Sequence, residues 1–151
     1  AGNSSSINDG SSLICVVSED FLKRHKLKPL ARVTGGAVAG LHPNTMGLGP
    51  IHAAKRLERN FGFAPTSFDI VELNEAFASQ SLACIKELKL DPTKINRQGG
   101  AIALGHPLGC SGSRIATTLI HQMNKDPKLK TGLATMCIGV GQGIAASFES
   151  C

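Results

Sequence analysis

Two apolar runs close to the end of the chain, Gly132-Leu-Ala-Thr-Met-Cys137 and Ile144-Ala-Ala-Ser-Phe148, are separated by only six Gly-rich residues. A parallel crossover needs a dozen or more, so these strands must pair antiparallel. Upstream, strand and helix patterns alternate, which calls for parallel pairing through right-handed crossovers. The two demands together define an α/β fold whose mixed sheet has about five strands, with helices on both faces.

Leu13-Ile-Cys-Val-Val17 is a continuous apolar run rich in β-branched residues. It reads as a strand covered on both faces, with Cys15 in the core. Residues 1–11, rich in Gly, Ser and Asn, form a lead-in loop. Ser18 caps a helix from Glu19 to about His25, with acids in its first turn and bases in its last. Ala31 to Gly40 reads as a second strand, weakened by Gly35-Gly36 in a way that implies a bulge or a close backbone approach. Pro50 suits the first turn of an amphipathic helix with Ile51, Ala54 and Phe61 on one face. A strand follows over Ile70 to Leu73, and Ala76 to Leu88 is nearly all small or apolar, as in a central buried helix. Ile115, Leu119 and Met123 then stripe a helix that runs from Ser111 to about Met123.

Three polar groups fall at junctions between these elements. His106 lies between Gly105 and Pro107 in the run Gln98 to Gly112, so backbone constraints aim its ring. Asn74 and Glu75 end the apolar run that begins at Val71. Cys137 ends another, ahead of the alternating glycines Gly139, Gly141 and Gly143. Loops at strand ends line the functional crevice of open α/β sheets, so the three can converge. Each also has a plain structural reading: a capping histidine, a helix N-cap, a buried strand cysteine. His42 and His52 have no base or second ligand to pair with.

The composition narrows the class. With 42% hydrophobic residues in 151 and no long apolar run, the chain reads as one globular domain with no membrane span. The net charge of +5 is dispersed, and six Phe without Tyr or Trp make a poor base-stacking platform, so nucleic acid is not the expected partner. Mild basicity fits an anionic ligand or a solvated surface. Five cysteines without metal-ligand spacing point to free thiols in a reducing compartment and to no metal site. The chain opens on Ala1, which leads us to expect a segment of a longer polypeptide.

Taken in order and spacing, Asn74-Glu-Ala-Phe77, Gly105-His106-Pro107 and Cys137-Ile-Gly139 resemble the C-terminal half of a thiolase, the acetyl-CoA acetyltransferase and 3-ketoacyl-CoA thiolase family. The resemblance extends from Gly2-Asn-Ser-Ser-Ser-Ile-Asn-Asp-Gly10 through Met46-Gly-Leu-Gly-Pro50 to the last strand, so it covers residues 1–151 as one C-terminal domain. It implies a thiolase-like half that acts with an N-terminal domain carrying the nucleophilic cysteine. By the same resemblance, Cys137 is the acid/base at the α-carbon, and His106 activates the nucleophilic thiol and donates to a thioester oxygen. Asn74 holds a water in that oxyanion hole, the Gly139 N–H is a second oxyanion donor, and Phe77 walls the pantetheine end. Val140 departs from the glycine common after Cys-Ile-Gly.

Coenzyme A and acyl-CoA are implied as substrates, with no permanently bound cofactor. A homo-oligomer, dimer or tetramer, is implied as well, in the cytoplasm or another reducing compartment such as the mitochondrion or peroxisome. No match to the nucleophile's surroundings occurs, so the isolated chain is expected to be inactive. Rival readings are a non-catalytic module of the same fold that binds acyl-CoA or a partner subunit, and a ketoacyl-synthase-type condensing enzyme, which tends to carry histidine where Cys137 stands. A Rossmann domain is weaker, because the glycine order after the first strand is wrong.

Overall fold

In chain order, the computed structural model of Ala1–Cys151 contains helix α1 (Glu19–His25), strand β1 (Ala31–Gly40), helix α2 (Gly49–Phe61) and strand β2 (Ile70–Leu73). Helices α3 (Ala78–Glu87), α4 (Ala101–Leu104) and α5 (Leu108–Lys125) follow, then strands β3 (Thr131–Ile138) and β4 (Gln142–Ser150). The strands form one sheet in the order β1-β4-β3-β2. β2 and β3 pair parallel, while β4 is antiparallel to β1 and to β3. Strands β1, β2 and β3 therefore point one way and β4 alone is reversed.

The local signals explain most of the elements. Ser18 Oγ accepts from the Phe21 N–H at 3.2 Å and caps α1. The register of β1 slips between Val33 and Gly35, where the glycine pair implies a bulge. Pro50 stands in the first turn of α2, whose Ala53, Ala54 and Leu57 pack on Val71, Leu73 and Leu133. On the opposite face Ile115, Leu119 and Met123 of α5 pack on Ile70, Ala134 and Phe148. Helices thus cover both faces, and fully buried Leu57 and Leu119 each stabilise the fold by roughly 1.5–3 kcal/mol through loss of water contact.

The structure corrects four expectations. The sheet has four strands, because Leu13 to Val17 pairs with nothing: Leu13 is 86% and Val16 79% exposed, and Cys15 is exposed as well. That run lines an apolar cleft of about 950 Å³ with Phe21, Leu30 and Ile120. Apolar composition signals burial without saying against which surface. Next, β1 takes β4 and not a parallel strand as its neighbour. Third, α3 is no central helix; it buries Gln80, Ser81 and Cys84 and leaves Leu82 65% exposed.

Last, the β3–β4 turn is shorter than the glycines imply. Ile138 already pairs with Gln142, so Gly139, Val140 and Gly141 form the turn. Gly143 lies in β4, paired with Cys137 and Ala39, and a Cβ there would lie 2.1 Å from the Gly49 backbone of α2. Its glycine marks a close helix–strand approach inside the sheet.

Candidate active site

Asn74 follows the last residue of β2, and its N–H donates to the Thr135 carbonyl of β3 at 3.0 Å. The side chain is 1% exposed. It is not a helix cap, since Phe77 holds the N-cap position of α3. Its Nδ2 lies 3.4 Å from His106 Nε2, and its Oδ1 is buried with no partner. Leaving a buried carbonyl oxygen unpaired costs about 1–3 kcal/mol, so folding alone does not account for its placement.

Asn96 fastens the Gly-rich run to the end of β2. It accepts from the Leu73 N–H at 2.9 Å and donates from Nδ2 to the Leu73 carbonyl at 2.8 Å and to Glu75 Oε1 at 2.9 Å. The other Glu75 oxygen accepts from the Ile102 N–H of α4 at 3.2 Å. From above, the lead-in segment clamps the same region: the His106 N–H is 3.3 Å from both the Ser6 carbonyl and Asn8 Oδ1. Gly105 makes that clamp possible, with φ of 105° and no room for a Cβ, which would stand 2.5 Å from Asn8 Oδ1.

The ring of His106 has a defined tautomer. Nδ1 is 2.6 Å from Ser111 Oγ, whose single proton goes to the Pro107 carbonyl at 3.1 Å. With that hydroxyl hydrogen pointed at the carbonyl, Nδ1 carries its own hydrogen and donates, and the Nε2 lone pair accepts from Asn74 Nδ2. Burial first, and the Arg114 guanidinium second, hold the imidazole pKa below its ordinary value. A neutral ring whose Nε2 lone pair meets only this long 3.4 Å contact is a base able to take a proton.

Cys137 lies at the same end of the sheet, two residues beyond Thr135, which pairs with Leu73. Its thiol is 6% exposed and makes no hydrogen bond to Asn74 or His106. Burial pushes the thiol pKa up, against a weaker pull from its own backbone N–H. The glycines after it thus do not stabilise a thiolate here, and the group stays a protonated acid. Gly139 is exposed in the turn. Phe77 is 45% exposed at the mouth of α3 and is not packed in the core.

The structure thus joins Asn74 to His106 directly and brings Cys137 and Gly139 to the same sheet end. His42 is an N-cap, accepting from the Asn44 N–H at 3.3 Å, and His52 is exposed. No group of three His, Cys, Asp or Glu is arranged to hold a metal. Ser111, Asn96 and Asn8 escaped the sequence reading. A hint existed for Ser111, a small hydroxyl one turn into the helix that the Pro107 carbonyl begins.

The fold is the thiolase fold. A family model described as the thiolase C-terminal domain matches residues 27–150, and the chain belongs to that family. It is 51% identical to the beta-ketoadipyl-CoA thiolase of Pseudomonas aeruginosa over 99% of this chain and 37% of that protein. Among solved structures, the acetyl-CoA acetyltransferase of Bacillus anthracis aligns with a TM-score of 0.95 at 42% identity, over 99% of this chain and 38% of that one. Human mitochondrial 3-ketoacyl-CoA thiolase in complex with CoA aligns with a TM-score of 0.90, also at 42% identity and over the same shares. The chain spans well under half the length of each.

Proposed function

We propose that this chain is the catalytic C-terminal part of a thiolase that cleaves 3-ketoacyl-CoA with coenzyme A, or runs the reverse Claisen condensation. The contact between Asn74 Nδ2 and the Nε2 lone pair of a neutral His106 carries this reading. The names of the relatives support 3-oxo thioesters as the substrate class, and the complex of a neighbour with CoA supports CoA as a substrate.

In this account His106 Nε2 takes the proton of a nucleophilic thiol from an N-terminal domain of the same polypeptide. The thiolate attacks the 3-keto carbon, and the new Nε2–H stabilises a substrate oxyanion. The orphaned Asn74 Oδ1 is the acceptor that orients a further donor towards the same oxygen. As the Cα–Cβ bond breaks, the protonated Cys137 thiol gives its hydrogen to the carbanion, releasing acetyl-CoA. Coenzyme A, deprotonated by that thiolate, then takes the acyl group from the enzyme. Condensation runs these steps backwards. The exposed Gly139 N–H serves the second oxyanion, and Phe77 lines the path of the pantetheine arm.

The isolated chain lacks a nucleophile beside His106 and is inactive in this account. The parent enzyme is a dimer or tetramer in a reducing compartment, consistent with five unpaired cysteines. Thiolysis of acetoacetyl-CoA, followed with this chain and with the parent polypeptide, tests the reading. Turnover by the parent alone is expected; turnover by the isolated chain, or none by the parent, contradicts it.

A further inference from the structure

The middle of the β3–β4 turn carries a side chain that the mechanism above does not use. Val140 stands between Gly139 and Gly141, with a φ of 63°. A β-branched residue resists this left-handed conformation, which glycine adopts freely. Nothing in the fold offsets that strain, because the side chain is 84% exposed. Strain of this kind persists where a side chain serves a contact beyond its own fold.

The turn is also braced, so Val140 cannot swing aside. The Leu41 N–H, just beyond β1, donates to the Gly141 carbonyl at 2.8 Å. Gly141 takes a φ of 84° and packs so closely that a Cβ there would collide with the Leu41 carbonyl oxygen and Pro43. Below the turn Ile138 pairs with Gln142, and Gly143 is pressed against Gly49 of α2. A side chain on a turn held from both sides keeps one position, as discrimination between substrates requires.

What Val140 can touch follows from Gly139. Neighbouring Cα atoms are about 3.8 Å apart, and an oxyanion donor sits about 3 Å from the oxygen it serves. In the thiolase reading, on which this inference rests, Gly139 serves the oxyanion formed when coenzyme A attacks the acyl group. The carbon bearing that oxygen is C3 of the original 3-ketoacyl thioester, and the rest of the acyl chain hangs from it. The first chain carbons therefore fall within reach of the residue next to Gly139. We propose that Val140 is a specificity-determining residue whose methyl groups pack on the acyl chain beyond C3. The contact removes apolar surface from water only when that chain is long enough. It favours straight-chain 3-ketoacyl thioesters such as 3-ketohexanoyl-CoA over acetoacetyl-CoA, which offers a single methyl group there.

The test measures kcat/KM for thiolysis of 3-ketohexanoyl-CoA and of acetoacetyl-CoA by the parent polypeptide and its Val140→Gly and Val140→Ile variants. The ratio of the two constants on one preparation is insensitive to the fraction of folded protein. Val140→Gly should lower the ratio, six-carbon over four-carbon, by about tenfold. Val140→Ile, apolar and β-branched, should keep most of the preference. A ratio that is unchanged or raised in Val140→Gly overturns the proposal; unchanged with a lower urea midpoint, it would assign the side chain to packing within the parent. A wild type that cleaves neither thioester sinks the thiolase reading and this inference with it. One that cleaves both, with a ratio indifferent to residue 140, sinks this inference alone.

Discussion

Ser111 Oγ lies 2.6 Å from His106 Nδ1 and donates its hydrogen bond to the Pro107 carbonyl, so one hydroxyl fixes the tautomer of the base. Removing it frees the ring to turn and to move its hydrogen to Nε2. Ser111→Ala in the parent enzyme should lower kcat for thiolysis by about 10²-fold with a smaller change in KM, as expected for a misplaced catalytic group. Ser111→Thr should restore part of the loss. Steady-state kinetics of the two variants check this, and an unchanged kcat in Ser111→Ala would remove the serine from the account.

Val140 has a φ of 63°, in the left-handed region that a β-branched residue rarely adopts. It is 84% exposed, so packing does not offset the strain. Val140→Gly should stabilise the protein by about 1 kcal/mol, the relief of strain exceeding the added chain entropy. Urea denaturation of the parent measures it; a lower midpoint contradicts the strain argument.

Glu72 makes stability depend on pH. Burial raises its carboxyl from 4.5 to about 7, so the folded state binds the proton more tightly than the unfolded chain does. The stabilisation is fully present below about pH 4.5 and is lost as pH rises through about 7. Relative to Glu72→Gln, the wild type should lose up to about 3 kcal/mol between pH 4.5 and pH 8. Denaturation curves at the two pH values give the difference, and a constant gap between the proteins would refute it.

Gly105 combines a φ of 105° with contact against Asn8. Gly105→Ala should push the lead-in segment off His106 and reduce activity more than it reduces stability. Thiolysis rates and thermal midpoints on one preparation separate the two, and wild-type activity would show that the clamp is dispensable.

Much of this architecture was legible in the chain. Periodicity located α1, β1, α2 and α5 because each follows a rule within one or two turns: the Ser18 cap, the Gly35 bulge, Pro50 at a helix start, and the stripe of Ile115, Leu119 and Met123. Residues 13–17 have the composition of a buried strand yet join no sheet, because an apolar run carries no record of its partner surface. The glycine at 143 looked like a loop signal, and only its contact with Gly49 explains it. At the site, motif order singled out Asn74, His106 and Cys137. The tautomer of His106 depends on where one hydroxyl proton points, and the Glu72–Arg114 pairing arises only when α5 lies across β2. Neither has a local sequence signature.

The most direct measurement of the central claim is exchange of the acetyl-CoA α-protons with deuterated water, catalysed by the parent polypeptide and by its Cys137→Ala variant. The account predicts exchange in the wild type and its loss in the variant, with acyl transfer to the nucleophilic thiol retained. Exchange at the wild-type rate in Cys137→Ala would show that another group handles the α-carbon proton, and would contradict the role assigned to this thiol.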